Sequence, residues 1–412
     1  MKFEEYKIVP ELKKSLQELD FKRPTDIQFK TIPPIINGED VLAIAQTGTG
    51  KTAAFAIPIL HILHEQKSYT SPGVKCIVMV PTHELAIQIT EVFNTIGKYT
   101  DVKTLCLHGG VAQDPQIAAL KEGVDIVIGT PGRMFDLISQ RHLSVRLLEI
   151  LVLDEADHML DLGFIGDIEY MITHLPKNRQ TLFFSATIND KIKTVAYSLV
   201  RNAIRIQISP KDPVAKNITH AVAFVEMDDK RFFLERIINE NPDKKILVFV
   251  RTKVRAERVH QALERMNIKS ITIHSDKEQE DRVTVMKQFR EGEVKVLIAT
   301  DISARGIDIA GVDFVVNYDL PEVAENYVHR VGRTGRGTQK GRALSFCSTE
   351  EKEILAEIEL YLLTPIRVIE INKNDYTETI DLTEDTTNDW KSLMREAQQD
   401  ELDKGNKKKK KK

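Results

Sequence analysis

The sequence predicts two α/β domains in tandem, each a mostly parallel sheet covered by helices on both faces. Three observations predict this. Short apolar runs alternate with segments of helical spacing, the pattern of strands buried on both sides. The whole pattern occurs twice, on either side of a proline-bearing stretch. The chain has 412 residues, enough for two or three domains of about 150 residues each.

The first half carries the strand-like runs "DVLAIA" (Asp40–Ala45), "KCIVMV" (Lys75–Val80), "VDIVIG" (Val124–Gly129), "ILVL" (Ile150–Leu153) and "TLFFS" (Thr181–Ser185). Segments such as Glu84–Lys98 between them have helical spacing. "SPKDPVAKN" (Ser209–Asn217) holds two prolines and mixed charge and reads as a linker. The second half repeats the pattern with "KKILVFV" (Lys244–Val250), "SITIHS" (Ser270–Ser275), "VKVLIAT" (Val294–Thr300), "VDFVVNY" (Val312–Tyr318) and "RALSFCS" (Arg342–Ser348). The expected division is therefore a first domain over residues 1–208, a linker over 209–217 and a second domain over 218–371. From Asn372 the chain is rich in Asp, Glu, Thr and Asn, and it finishes in Lys407–Lys412. Low hydrophobicity and blocked charge predict a disordered tail over 372–412. Its lysines are either a solvated run or a non-specific phosphate-binding one.

Net charge is −3, from Lys+Arg 58 against Asp+Glu 61, so any basic surface must be local. Cys76, Cys106 and Cys347 are far apart, which excludes a disulfide framework or a zinc site. The N-terminal stretch is charged, and no apolar run approaches the roughly 18 residues of a membrane span. The expectation is a cytoplasmic protein.

Two stretches carry chemistry. "AQTGTGKT" comprises Ala45, Gln46, Thr47, Gly48, Thr49, Gly50, Lys51 and Thr52, between a strand and a helical segment. It fits a phosphate loop with Ala45 in the first glycine place. Small residues let backbone N–H groups turn toward a phosphate, and the following helix offers its positive end. Lys51 supplies charge for the β- and γ-phosphates, and Thr52 offers a hydroxyl to Mg²⁺. In "ILVLDEADHML", Asp154, Glu155 and Asp157 end a buried apolar run, where carboxylates are costly without a cation. Asp154 is placed to hold the Mg²⁺ of a bound ATP, and Glu155 to orient or deprotonate an attacking water. Asp157 either caps the next helix or pairs with a cation.

"DEAD" itself, Asp154–Asp157, resembles the signature of the DEAD-box family of ATP-dependent RNA helicases in helicase superfamily 2. The resemblance runs from Phe3 to Ile369 and implies tandem RecA-like domains. "FKRPTDIQ" (Phe21–Gln28) resembles the family's adenine-reading segment. It implies that Gln28 pairs with adenine, that Phe21 and Arg23 pack on the base, and that Phe3 is the isolated upstream aromatic. "PTHELAIQ" (from Pro81), Gly109–Gly110 and "TPGR" (Thr130–Arg133) resemble the RNA-contacting elements of the first domain. They imply backbone contacts at Pro81, Gly110, Thr130, Gly132 and Arg133. "SAT" (Ser185–Thr187) resembles the element coupling ATP state to RNA. In the second domain the resemblance implies RNA contacts at Arg251, Gln279 and Thr300, and an ATP ribose contact at Asp308. "HRVGRTGR" implies arginine fingers at Arg333 and Arg336, with His329 coupling.

The sequence departs from the family pattern at Asp20, Asp26, His83, Ser275 and Lys277. His83 removes a permanent cation from an expected phosphate contact. The implied activity is RNA-dependent ATP hydrolysis by a monomer that clamps RNA across two domains and opens short duplexes or remodels RNA–protein complexes. An ATP-dependent RNA clamp with little unwinding and a DNA translocase are the rival readings. Protein partners in ribosome assembly or RNA decay follow from analogy to bacterial members.

Overall fold

The structure, a computed structural model, describes residues 2–45, 48–67, 72–188, 190–208, 214, 217–301, 311–335, 340–371, 376, 377, 379 and 380. Gln46, Thr47, Asp308, Arg336, most of the expected linker, the side chain of Gln279 and the tail from residue 381 lie outside the described set.

The first domain holds β1 (Val41–Ala45), β2 (Cys76–Met79), β3 (Thr104–Leu107), β4 (Ile126–Gly129), β5 (Ile150–Leu153), β6 (Gln180–Ser185) and β7 (Ile204–Ile208). The second holds β8 (Ile218–Phe224), β9 (Ile246–Phe249), β10 (Ser270–Ile273), β11 (Val296–Ala299), β12 (Phe314–Asn317), β13 (Gly341–Cys347) and β14 (Arg367–Ile369). The sheet orders are β3-β4-β2-β5-β6-β1-β7 and β10-β11-β9-β12-β13-β8-β14. Every pairing is parallel. Adding seven to each strand number turns one order into the other, so the two domains repeat one topology. The tandem α/β reading holds, and the sheets are parallel throughout.

Each sheet is buried on both faces because parallel strands need crossover helices on both sides. In the first domain Val41, Ala43, Val78, Val152 and Phe184 face one core, while Leu42, Ile77, Leu151 and Phe183 face the other. The second domain has the same double core, with Leu247 and Leu297 on one side and Val248 and Ile298 on the other. The apolar runs read as strands are the central ones of the first sheet and, in the second, β9 to β13, of which β10 is an edge. The strands β3, β7, β8 and β14 escape that reading because they alternate or are partly exposed. "IRIQI" buries Ile206 between the exposed Arg205 and Gln207, and "ITHAVAF" carries Thr219 and His220 between buried residues.

Strand ends feed helices through local chemistry. Thr25 opens the Asp26–Ile36 helix with a capping box closed by Gln28. Thr82 accepts from Leu85 N at 3.3 Å and Thr252 accepts from Arg255 N at 3.2 Å, opening corresponding helices after β2 and β9. The chain keeps packing beyond β14. Tyr376 donates its hydroxyl to Asp229 Oδ2 at 2.7 Å, and Arg236 Nη1 donates to Thr379 Oγ1 at 2.8 Å.

Candidate functional site

The carboxyl edge of the first sheet is divided between two jobs. The phosphate loop, the strand-end acids and Ser185–Thr187 follow β1, β5 and β6, which are adjacent. Pro81, Gly110 and Thr130 follow β2, β3 and β4, the other half of the edge. Arg251, Thr300 and Gln279 follow β9, β11 and β10, the matching half of the second sheet. Ligands of open parallel sheets bind outside these carboxyl ends.

The loop leaving β1 turns through Gly48 and Gly50, both at positive φ (80° and 91°), and Lys51 is the first residue of the Lys51–Gln66 helix. A side chain at Gly50 would place its Cβ 2.6 Å from Gln28 Nε2. Gln28 is buried; its Nε2 donates to Gly50 O at 3.1 Å and its Oε1 accepts from Thr25 N at 2.9 Å. One N–H and one lone pair of this amide remain for an adenine. Gln28 therefore also ties the expected base-reading segment to the phosphate loop. Phe21 packs edge-on against Phe3, with centroids 5.7 Å apart, while Arg23 is exposed.

Lys51 is 6% exposed, and its Nζ is buried without a hydrogen-bond partner. A buried ammonium in that position calls for an anion. Asp154 and Glu155 stand close enough to act on it electrostatically. Asp154 is 3% exposed, and burial raises its carboxyl to about 6 despite the pull of Lys51. The Glu155 N–H donates to Asp154 Oδ1 at 3.0 Å. Burial also pushes Glu155 up, but His158, Lys51 and Arg333 outweigh it and hold Glu155 at about 2. His158 Nδ1 lies 3.7 Å from Glu155 Oε2. Two neighbouring carboxyls thus differ by environment. At Asp154 burial outweighs the pull of Lys51, and Glu155 stays ionised. A carboxylate held this low suits orienting a water better than taking its proton. Glu155 sits at φ 52°, a left-handed turn at which backbone strain is stored.

These residues fit a magnesium triphosphate. Among the described residues no group of three His, Cys, Asp or Glu side chains could cage a metal. Mg²⁺ keeps several waters and leans on one or two protein oxygens plus phosphates, which Thr52 and Asp154 can supply.

In place of the helix cap or cation expected for it, Asp157 has neutral donors: its Oδ2 accepts from Ala186 N at 3.1 Å and from Thr187 Oγ1 at 3.2 Å. Ser185 is fully buried, and its Oγ accepts from Thr187 N at 3.4 Å. The last acid of the tetrapeptide and "SAT" are one unit. In the second domain, Arg330 is buried and forks onto Asp301, at 2.5 Å and 2.7 Å, so one arginine of "HRVGRTGR" has an internal anion. Arg333 is also buried; its Nε donates to His329 O at 3.3 Å, and its charge acts on Glu155 of the first domain. Glu84 and Arg282 also meet across the domains, at 2.9 Å.

On the other half of the edge, Pro81, Thr130 and Thr300 are buried, Gly110 takes φ 74°, and Gly132 has open space where a side chain would go. Arg133 Nη2 donates to Val111 O at 2.9 Å. His83 stacks near His108, with centroids 5.3 Å apart, where the resemblance leads one to expect an arginine. Sequence reasoning missed His158, Arg282, Glu84 and Asp301 as partners. Glu84 lies inside "PTHELAIQ" and Arg282 lies three residues past Gln279, but nothing local pairs them.

Residues 25–195 match the family model described as DEAD/DEAH box helicase, and residues 229–338 match the helicase conserved C-terminal domain. The chain is similar to the DEAD-box ATP-dependent RNA helicase RhpA of Helicobacter pylori, 39% identical over 375 residues, covering 89% of this chain and 74% of that one. It is 41% identical over 359 residues to CshA of Bacillus cereus, covering 87% and 67%. Among solved structures, S. cerevisiae Dbp5 bound to RNA and ADP BeF3 gives a TM-score of 0.80 at 30% identity, covering 92% of this chain and 98% of that one. A DEAD box protein from Methanococcus jannaschii gives 0.52 at 35% identity, covering 90% and 99%.

Proposed function

We propose a working cycle for this chain, which belongs to the DEAD-box family of ATP-dependent RNA helicases: it hydrolyses ATP when RNA holds its two domains together. The observation that supports this most is the contact between the domains: Arg282 Nε lies 2.9 Å from Glu84 Oε1, and the charge of Arg333 in the second domain acts on Glu155 in the first.

The Gly48–Lys51 loop would take the phosphates of ATP, with the buried Lys51 as their cation. Asp154 and Thr52 would hold Mg²⁺, which would supply charge neutralisation at the transferring group. Gln28 links adenine to Gly50, so base recognition and loop shape are coupled. RNA lies by its sugar-phosphate backbone across Pro81, Gly110, Thr130 and Arg133, then Arg251, Gln279 and Thr300. Closure brings Arg333 and Arg336 to the γ-phosphate while Glu155 orients water in line. Asp157, bonded to Thr187, carries the nucleotide state toward "SAT". ATP and RNA each stabilise the same closed arrangement, so they bind with positive coupling. A closed clamp bends one strand and opens a short duplex locally. We place the protein in the cytoplasm as a monomer; among the described residues no helix is long and apolar enough to cross a membrane.

The test is ATP turnover without nucleic acid, with single-stranded RNA and with single-stranded DNA, beside a Glu155→Gln control. Stimulation by RNA alone, abolished in the control, is expected. Equal stimulation by DNA would replace the RNA reading with a DNA translocase. No turnover would leave an ATP-dependent clamp.

A further inference from the structure

The repeated topology makes a residue-by-residue comparison possible. Lys51 lies six residues past the last residue of β1, and Lys230 lies six past the last residue of β8, the strand that takes the place of β1 in the second sheet. Each lysine opens the helix that follows. Both are buried, Lys51 at 6% and Lys230 at 0% exposure. Their anions differ. Lys51 Nζ has no hydrogen-bond partner, whereas Lys230 Nζ donates to Glu351 Oε2 at 2.5 Å and lies 3.7 Å from Asp319 Oδ1. Asp319 lies two residues past the last residue of β12, as Glu155 lies two past the last residue of β5. The second domain has filled the place of a phosphate with its own carboxylate.

The carboxylate is fully used. Glu351 is 1% exposed. Its Oε2 also accepts from Ser348 N at 3.1 Å and Ser348 Oγ at 3.2 Å, and its Oε1 accepts from Leu320 N at 3.1 Å. The remaining contact is Arg251 Nη2, which donates to Glu351 Oε1 at 3.3 Å. Arg251 stands two residues past β9, as Pro81 stands two past β2, and each precedes a threonine helix cap. The Arg251 backbone N–H is held too, by Asp319 Oδ2 at 3.0 Å. Its side chain is 36% exposed, so it reaches from the buried cluster to the surface.

We propose that Glu351, fixed by Lys230 at the position a phosphate takes in the first domain, is a positioning residue that aims Arg251 at the RNA backbone. This rests on the reading of Arg251 as an RNA contact. An arginine loose in solvent loses rotamer freedom when it binds; one already held by a buried carboxylate has lost it in advance.

The experiment is RNA-stimulated ATP turnover of the full chain, titrated with single-stranded oligouridylate, for Glu351→Gln, Arg251→Ala and the double variant. Glu351→Gln should raise the half-saturating RNA concentration roughly threefold to tenfold, the scale of one charge-assisted contact, with turnover at saturating RNA held within about twofold. The double variant should match Arg251→Ala alone. If Glu351→Gln does not fold, Glu351→Asp keeps the charge for Lys230 but draws back from Arg251, and the same rise is expected. An unchanged RNA requirement in Arg251→Ala would remove the underlying RNA reading. A rise in Arg251→Ala with none in the Glu351 variants, or a further rise in the double variant, would overturn the positioning role.

Discussion

Arg282 Nε lies 2.9 Å from Glu84 Oε1, and the two residues belong to different domains. Their side chains are 16% and 9% exposed, so this is a largely desolvated ion pair that exists only when the domains face each other. Such pairs cost desolvation and repay it only with good geometry. Its chief effect is to select one closed arrangement.

Arg282→Ala should therefore leave ATP binding to the first domain alone and lower RNA-stimulated turnover by roughly tenfold to a hundredfold, since the ion pair that joins the domains is lost. Restoring part of that loss in the Glu84→Gln, Arg282→Ala double variant is the expected outcome of a double-mutant cycle. Independent effects of the two changes would show that the pair does not act as a unit.

Glu155→Gln keeps shape and removes the charge that orients water. Turnover should fall on the order of a hundredfold or more, while ATP affinity changes by no more than about threefold. Equilibrium binding of a fluorescent ATP analogue beside single-turnover hydrolysis separates the two quantities.

The raised Asp154 carboxyl has a sign that can be checked. The folded protein holds a proton there up to about 6, against an ordinary value of 3.8, so it binds more protons than the unfolded chain between those limits. Stability without nucleotide must then fall as pH rises through that window. Asp154→Asn should melt higher than the parent at pH 7.5, by on the order of 1–3 kcal/mol, and equally at pH 3.5. Magnesium ATP must expel that proton, so its affinity should weaken as pH drops below about 6. Melting curves at both pH values decide the point.

A methyl group at Gly129 would sit 1.9 Å from Leu107 O and 2.9 Å from Leu107 C, both backbone atoms of the paired strand β3. Gly132 has no atom within 4 Å of that place. Gly129→Ala should thus destabilise the first domain by several kcal/mol, roughly 3 or more, because a strand cannot step aside. Gly132→Ala should leave the melting temperature unchanged and weaken RNA binding if the backbone is approached there. Urea unfolding and RNA titration of the two variants make the comparison.

What the sequence made legible was local. The loop at Gly48–Thr52, the acids after "ILVL" and the central strands are runs of neighbours whose chemistry shows in their spacing. What it hid was contact between distant segments. Lys230 and Glu351 lie 121 residues apart and meet only because β8 and β13 are adjacent. Glu84 and Arg282 meet only through closure. "HRVGRTGR" implied fingers at Arg333 and Arg336 but gave no sign that Arg330, between His329 and those fingers, is held by Asp301, inside the domain. The strands β7 and β8 stayed hidden because polar residues break the apolar run: Arg205 and Gln207 flank the buried Ile206 in β7, and Thr219 and His220 interrupt β8.

The most direct test of an RNA-closed two-domain ATPase is the reciprocity of binding. The affinity for single-stranded RNA is measured with and without a non-hydrolysable ATP analogue, and the affinity for the analogue with and without RNA. The expected result is tighter binding in both directions by the same factor, at least about tenfold, largely lost in Arg282→Ala. Affinities that do not depend on the other ligand would contradict closure as the link between ATP and RNA.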